Sequence, residues 1–256
     1  MNTLIKKITN LIITIIIKIK KKKYSFISLG SVYGGWTFHN KISSNPTVLS
    51  CGAGEDISFD IDFLNHFSGK IYLVDPTPRA IKHYNLVKKK FGNKKKINYI
   101  VGGNQSIDSY NLKGIDSNNL KLIKKAIWVK NKKLKFYEPK NREHVSFSLY
   151  KNKNVNGNFI DVDGIDILSI INKYNIKNIE IIKLDVEGAE LIIIEDLFNK
   201  NVFPRQILFE FDQLKENSIK SIIYIFKFFK LINKFKYDFF YNDNKNNFSI
   251  IRKLTK

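Results

Sequence analysis

Residues 183–190 read K-L-D-V-E-G-A-E and place the carboxylates of Asp185, Glu187 and Glu190 where an apolar run gives way to a helical pattern. The preceding Ile179, Ile181, Ile182 and Leu184 are too continuously apolar for a half-solvated strand. Their β-branching suits a parallel strand buried on both faces. From residue 188 to 198 the period changes, and Ala189, Ile192, Ile193 and Leu197 cover one face of a helix. The acids therefore fall at the carboxyl end of a buried strand, where α/β enzymes place their chemistry.

A second segment of this kind lies upstream. Residues 47–51 form a short strand, T-V-L-S-C, that runs straight into Gly52-Ala53-Gly54-Glu55-Asp56, and helical spacing resumes at Ile57. Glycines at such a bend let the backbone approach a ligand closely, and the free N–H groups of the following helix face whatever binds there. The next apolar run, residues 71–74, ends in Asp75-Pro76-Thr77-Pro78, where proline stops the strand. Asp75 follows Gly52 at close to the roughly 20-residue spacing at which an acid on the second strand accepts a ribose hydroxyl. A nucleoside ligand is implied. The dinucleotide fingerprint is incomplete, because Ile57 stands where its third glycine belongs.

The remaining segments alternate. Residues 78–91 read as a helix and 97–101 as a third strand, while 102–119 is polar, glycine-dotted and long, the mark of a lid or local insertion. Residues 123–129 and 133–137 flank Lys130-Asn131-Lys132 as a hairpin. An irregular stretch, 140–157, precedes a short strand at 159–163 and a helix at 167–174. After the acidic motif come a buried strand at 206–211, a helix at 218–235 and a closing hairpin of 237–241 with 248–252. This order predicts an α/β fold with a mostly parallel sheet, one C-terminal antiparallel strand and helices on both faces.

In this setting the chain resembles the FkbM family of S-adenosylmethionine-dependent methyltransferases, marked by a strand ending in K-x-D-x-E-G-A-E. The branch it resembles most has a first motif like Gly52-Ala53-Gly54-Glu55-Asp56-Ile57-Ser58-Phe59-Asp60. Asp75-Pro76-Thr77-Pro78, Tyr33-Gly34-Gly35-Trp36, the 136–139 and 144–148 segments and the late I-L-F-E-F at 207–211 also fit, so the resemblance runs from about Tyr33 to Arg252. It implies a Rossmann-like methyltransferase fold, S-adenosylmethionine as cofactor, and transfer to a hydroxyl, of a sugar or glycan. Cofactor contacts are then expected from Ser50, Gly52, Gly54, Glu55, Asp75, Pro76 and Asp185. Ser50 departs from the broader methyltransferase pattern, which carries an acid there, and recognition of the cofactor's ammonium group passes to Asp185 or Glu55.

Methyl transfer from a sulfonium is an in-line displacement, in which alignment supplies most of the rate and a carboxylate base contributes roughly 10²- to 10⁴-fold. Asp185 is the first candidate for that base, Glu187 the second, and Glu210 is placed to orient either. The competing explanation for Asp185 and Glu187 is that acids favour the positive end of the following helix. Glu55 and Asp56 have the same alternative. Trp36 is expected either to stack on adenine or acceptor or to anchor the core. The resemblance assigns His144 and Ser146, in the 144–148 loop, to the acceptor pocket.

At 256 residues the chain suits one sizeable α/β domain, 24–256, preceded by an apolar and basic segment, 1–23. A net charge of +21 suggests nucleic acid until its source is noted, for only Arg79, Arg142, Arg205 and Arg252 among 44 basic residues are arginine. Specific phosphate readers use arginine's bidentate fork, and dispersed lysines are ordinarily solvated surface, so no specific nucleic-acid partner is expected. Cys51 is the lone cysteine, which suits a reducing, cytoplasmic setting. His39, His66, His83 and His144 lack the spacing of a zinc site; Asp185, Glu187 and Glu210 offer hard oxygen ligands that suit magnesium, but the resemblance does not require a metal and none is expected. Residues 8–17 are apolar and bracketed by lysines, too short to span a bilayer, which takes about 20 residues, and not followed by a small-residue cleavage site. The preferred reading is a peripheral helix packed on the domain. The second is a basic amphipathic segment touching anionic lipid. Two further functional classes compete with the methyltransferase: an NAD(P)-dependent oxidoreductase using the same glycine turn, and a non-catalytic domain binding through its lysines.

Overall fold

The apolar runs pair where their side chains can be buried on both faces. The computed structural model describes residues 3–94, 98–140, 147–149, 155–215, 218–243 and 246–253. Helix α1 (Thr3–Lys20) precedes an antiparallel pair, β1 (Phe26–Leu29) with β2 (Trp36–His39). Then follow β3 (Thr47–Cys51), α2 (Ser58–Phe67), β4 (Lys70–Val74), α3 (Pro78–Lys88) and β5 (Leu120–Ile123). Next are β6 (Ala126–Ile127), β7 (Lys133–Pro139), β8 (Val155–Ile165) and α4 (Ile167–Tyr174). The chain continues with β9 (Ile181–Leu184), α5 (Glu190–Asn199), β10 (Gln206–Glu210), α6 (Ile219–Lys234), β11 (Tyr237–Asn242) and β12 (Asn247–Arg252).

The main sheet has the order β11-β12-β10-β9-β3-β4-β5. Only β12 runs against the rest, pairing antiparallel with both β10 and β11. This is the doubly wound α/β arrangement expected from the sequence. Period-two alternation divides each strand between two cores. Leu49, Ile182, Leu184, Ile207 and Phe209 join α4, α5 and α6 residues on one face. Val48, Ile181 and Leu208 join α2 and α3 residues on the other. From β3 the chain proceeds outward through β4 to β5, then returns to place β9 on β3's other side. The strand order therefore reverses between β3 and β9, which opens a crevice at their carboxyl ends.

Two sequence expectations are corrected. Residues 98–101 form no strand; the third parallel strand is β5, beyond the long connection. Ile100 and Val101 are exposed, Val101 at 86%, and Tyr99 instead donates to Asp62 at 2.7 Å. A short β-branched run looks like a strand, but the Ile100 backbone N–H and carbonyl bond to the Gln105 side chain at 3.0 and 2.8 Å instead of to a sheet edge. The hairpin expected between 123–129 and 133–137 is absent as well, because β6 and β7 each pair with β8, which is longer than its predicted core of 159–163. The 102–119 connection packs as an insertion, burying Tyr110, Leu112 and Ile115.

The amino-terminal helix packs against α6. Ile13 enters the core, with Ile16 and Ile17 partly buried against it.

Candidate active site

The glycine turn after β3 is held from below by a single carboxylate. Gly52 has φ +83° and Gly54 φ +54°, and a Cβ on Gly52 would come within 1.9 Å of the Asp185 carbonyl oxygen. Only glycine lets the tips of β3 and β9 meet, and Asp185 N–H donates to the Cys51 carbonyl at 3.0 Å across that junction. Asp75, at the tip of β4, accepts from Ala53 and Gly54 N–H at 2.9 and 3.0 Å with Oδ2. Its Oδ1 accepts from Thr77 N–H and hydroxyl at 2.8 and 2.6 Å. Four donors occupy the lone pairs of this carboxylate. Asp75 lines the cleft as expected, but as a clamp on the turn rather than as an acceptor left open for a ribose diol. Pro76 lies beside it on the same wall.

A second buried acid has the same character. Asp56 accepts from Ser31 hydroxyl at 2.6 Å, Ser58 N–H at 2.9 Å and Gln105 amide at 3.3 Å. Ser31 in turn accepts from Tyr33 and Gly34 N–H, so Asp56 ties the 31–35 loop to the first turn of α2. A Cβ on Gly34 would collide with the Asp56 carboxyl, and the glycine of Tyr33-Gly34-Gly35-Trp36 is thereby explained. Glu55 pairs with Arg79, and its carbonyl accepts from Gln105 N–H at 3.0 Å.

Ser50 is corrected as a cofactor contact. It shares the sheet face of Val48, towards α2, lies fully buried two residues below the turn, and is not among the residues lining the cleft. Beside it in register is Lys183, the one charge inside the apolar run of β9. Its buried ammonium donates to the Gly52 carbonyl and lies 5.7 Å from the centre of the Trp36 ring. Trp36 is itself buried on β2 and lines the cleft, so core anchor and cleft wall are the same residue. Asp60 of α2, buried on this face, has its carboxyl pushed up to about 6 by burial, partly offset by the Lys183 charge.

The β9 tip is built differently. Its third acid, Glu190, is fully buried and accepts from Val186 and Gly188 N–H at 3.2 and 3.1 Å, folding the 185–189 loop. Burial raises its proton affinity well above the ordinary carboxylate range. Asp185 and Glu187 are left to face the cleft together with Glu210 from the end of β10. Glu187 holds φ +52°, a left-handed conformation that costs a non-glycine residue energy and is concentrated at functional sites. Burial, with Glu187 and Asp212 nearby and Lys183 and Lys215 opposing, lifts the Asp185 carboxyl to about 6. Burial and the charges of Asp185 and Asp212 lift Glu210 to about 7. Lys215 is the counter-charge, 2.9 Å from Glu210 and paired also with Asp212. Its own pKa is pushed up: burial lowers it, but the paired acids outweigh that. Tyr33 stands close enough to the cluster that burial and then the charges of Asp185, Glu187 and Glu210 raise its phenol.

These elements enclose one cleft of about 950 Å³, within the range for small-molecule sites. Gly52 to Asp56 and Val74 to Thr77 form one wall, Asp185 to Glu187 the floor, and Tyr33, Trp36, Phe147, Ser148 and Tyr241 part of the rim. Ser148 is fixed by a backbone bridge to Tyr137 at 2.8 and 3.1 Å. His144 and Ser146 lie outside the described residues. Among the described residues no three His, Cys, Asp or Glu side chains converge to hold a metal ion. A glycine turn, a nearby acid-rich strand tip and an adjoining polar rim suit a nucleoside bearing an amino-acid tail, with a second ligand alongside. Lys183, Ser31 and Lys215 were missed by sequence reasoning, and Asp56, weighed there as a site or helix-end acid, was not expected as a loop clamp. The lysine of K-L-D offered the one available signal, a charge inside an otherwise apolar strand.

The family description "Methyltransferase FkbM domain" matches residues 50–240. No curated protein matches the chain. Among solved structures, a human methyltransferase 10 domain containing protein is similar at TM-score 0.40 and 6% identity, covering 97% of this chain and 83% of its own. A structure described as a fibrillarin/Nop5p complex is similar at TM-score 0.42 and 12% identity, covering 92% of each chain.

Proposed function

The chain belongs to the methyltransferase FkbM family, and from that premise we propose that it transfers a methyl group from S-adenosylmethionine to a hydroxyl of a sugar or glycan, with Asp185 as the base. The observation that carries this reading is the convergence of Asp185, Glu187 and Glu210 on the same cleft as the glycine turn. The cofactor supplies a methyl group on a sulfonium, displaced in line by the acceptor oxygen. Gly52, Gly54 and the 74–77 corner would hold the nucleoside end and Glu55, at the edge of that wall, the ammonium, leaving the acid tip to the acceptor. Asp185 would take the acceptor hydroxyl's proton on a carboxylate oxygen as that hydroxyl's oxygen takes the methyl group from the sulfonium, which would leave as the neutral thioether. Burial, with Glu187 and Asp212 nearby and Lys183 and Lys215 opposing, keeps that carboxyl near the proton affinity at which a base is useful at neutral pH. A sugar acceptor is supported by the mixture of ring side chains and hydrogen-bonding groups on the rim, Tyr33, Tyr241 and Asn247 among them.

Calorimetry with S-adenosylmethionine, S-adenosylhomocysteine and NADH, followed by incubation with labelled cofactor and a panel of glycosides, tests the reading. Binding of both adenosyl ligands and label on a sugar oxygen is the expected result. Label on nitrogen or sulfur would retain the methyltransferase but overturn the hydroxyl assignment.

A further inference from the structure

Neither α1 nor α6 contributes a residue to the cleft, yet these helices carry the molecule's most apolar exposed surface. A helix lying on a domain needs one apolar stripe, and α1 has two. Thr9 and Ile13 are buried, with Ile16 and Ile17 half-buried, and they account for the packing face. Ile8, Leu11, Ile15 and Ile19, separated by three or four positions, form a second row on an adjoining face, and they are 48–71% exposed. Helix α6, against which α1 packs, repeats the pattern: Ile219, Ile223 and Phe226 share one face and are 51–63% exposed.

Charge accompanies both rows, and all of it has one sign. Residues 1–23 and 219–234 contain no Asp or Glu. Exposed Lys7 and Lys18 border the row on α1, exposed Lys220, Lys227 and Lys230 border that on α6, and α1 runs out into Lys20 to Lys23. Exposed apolar rows on two helices packed against each other mark a candidate interaction surface. We propose that α1 and α6 form a docking surface for an anionic lipid membrane, with the apolar rows entering the headgroup boundary and the lysines meeting lipid phosphates. No helix among the described residues is long and apolar enough to cross a bilayer, so the attachment is peripheral. A second copy of the chain fits poorly, since it would bring lysine against lysine on a molecule of net charge +21. Nucleic acid would neutralise the lysines but offers no apolar phase for the isoleucines.

The test is co-sedimentation of the full chain with phosphatidylcholine vesicles, with and without phosphatidylglycerol, alongside light scattering of the protein alone. The wild type is expected to sediment with the anionic vesicles only. Leu11→Asp with Ile15→Asp should abolish sedimentation. Replacing Lys220, Lys227 and Lys230 together with glutamine should weaken it more than about tenfold. These side chains are exposed, so both variants should melt with the wild type and bind S-adenosylhomocysteine equally, which separates this proposal from the assignment of the cleft. Equal sedimentation of wild type and the aspartate variant would overturn it. So would a wild-type dimer that the aspartate variant breaks in the absence of any vesicle binding.

Discussion

The two strand tips that meet at Gly52 and Asp185 both carry acids, and the acids have opposite fates. On the glycine side, Asp75 and Asp56 are surrounded by backbone N–H and hydroxyl donors that fill their acceptor positions, and each fixes a loop. On the other side Glu190 fixes the 185–189 loop through one oxygen only, its buried Oε2 having no hydrogen-bond partner, and burial raises it as it raises Asp185 and Glu210, which sit among other carboxylates around Lys215. An acid at a strand tip is thus architectural when donors saturate it and chemical when its neighbours are acids and the cleft is its remaining partner.

The largest effect expected from breaking this contrast belongs to the junction itself. Gly52→Val sets a side chain against the Asp185 carbonyl at a positive φ, and should cost about 4 kcal/mol or more and abolish cofactor binding; denaturant unfolding and calorimetry report both. Asp75→Ala leaves the Ala53, Gly54 and Thr77 donors without their buried acceptor, each worth about 1–3 kcal/mol. Its stability should fall by about 3 kcal/mol together with cofactor affinity. Lost affinity at unchanged melting temperature would instead make Asp75 a direct ribose acceptor. A chain beginning at Tyr24 loses the buried Ile13 and partly buried Ile16 and Ile17, and should be less stable by about 2–4 kcal/mol with cofactor affinity unchanged. The smallest effect is that of Lys215→Met. Without the cation that lowers both Asp185 and Glu210, the acid limb of the pH–rate profile should move to higher pH by about one unit, while a clamp role for Lys215 would lower stability and leave the profile in place.

Much of this was legible in the sequence because local pattern and tertiary demand agree there. The β3 and β9 tips, the single antiparallel strand and the helices of both faces follow from apolar runs, glycines and prolines that act within a few residues. The errors arose where the outcome depended on distant partners. Residues 98–101 have strand composition, but β5 took the place beside β4; β6 and β7 read as a hairpin until β8 came between them. Ser50 was placed by analogy to an acid, whereas the period of the strand turns it towards α2. Asp75 was correctly located, but its saturation depends on Thr77 and the glycine turn converging on it, a fact of three dimensions. Lys183 shows the reverse case, a charge whose position in an apolar strand was visible while its partner, the Gly52 carbonyl, was not.

The single-turnover rate of methyl transfer, measured across pH at saturating cofactor for the wild type and for Asp185→Asn, bears most directly on the difference between the two tips. The carboxyls of Asp185 and Glu210 are raised to about 6 and about 7, so acid protonates them and removes the base. The wild-type rate should therefore climb as pH rises through that interval and level off above it. Asp185→Asn should bind S-adenosylhomocysteine like the wild type, transfer methyl roughly 10²-fold more slowly, and lose or shift the limb that Asp185 supplies. A variant that binds, turns over at the wild-type rate and keeps the wild-type profile would contradict the account, and would make the acids of β9 as architectural as those of the glycine turn.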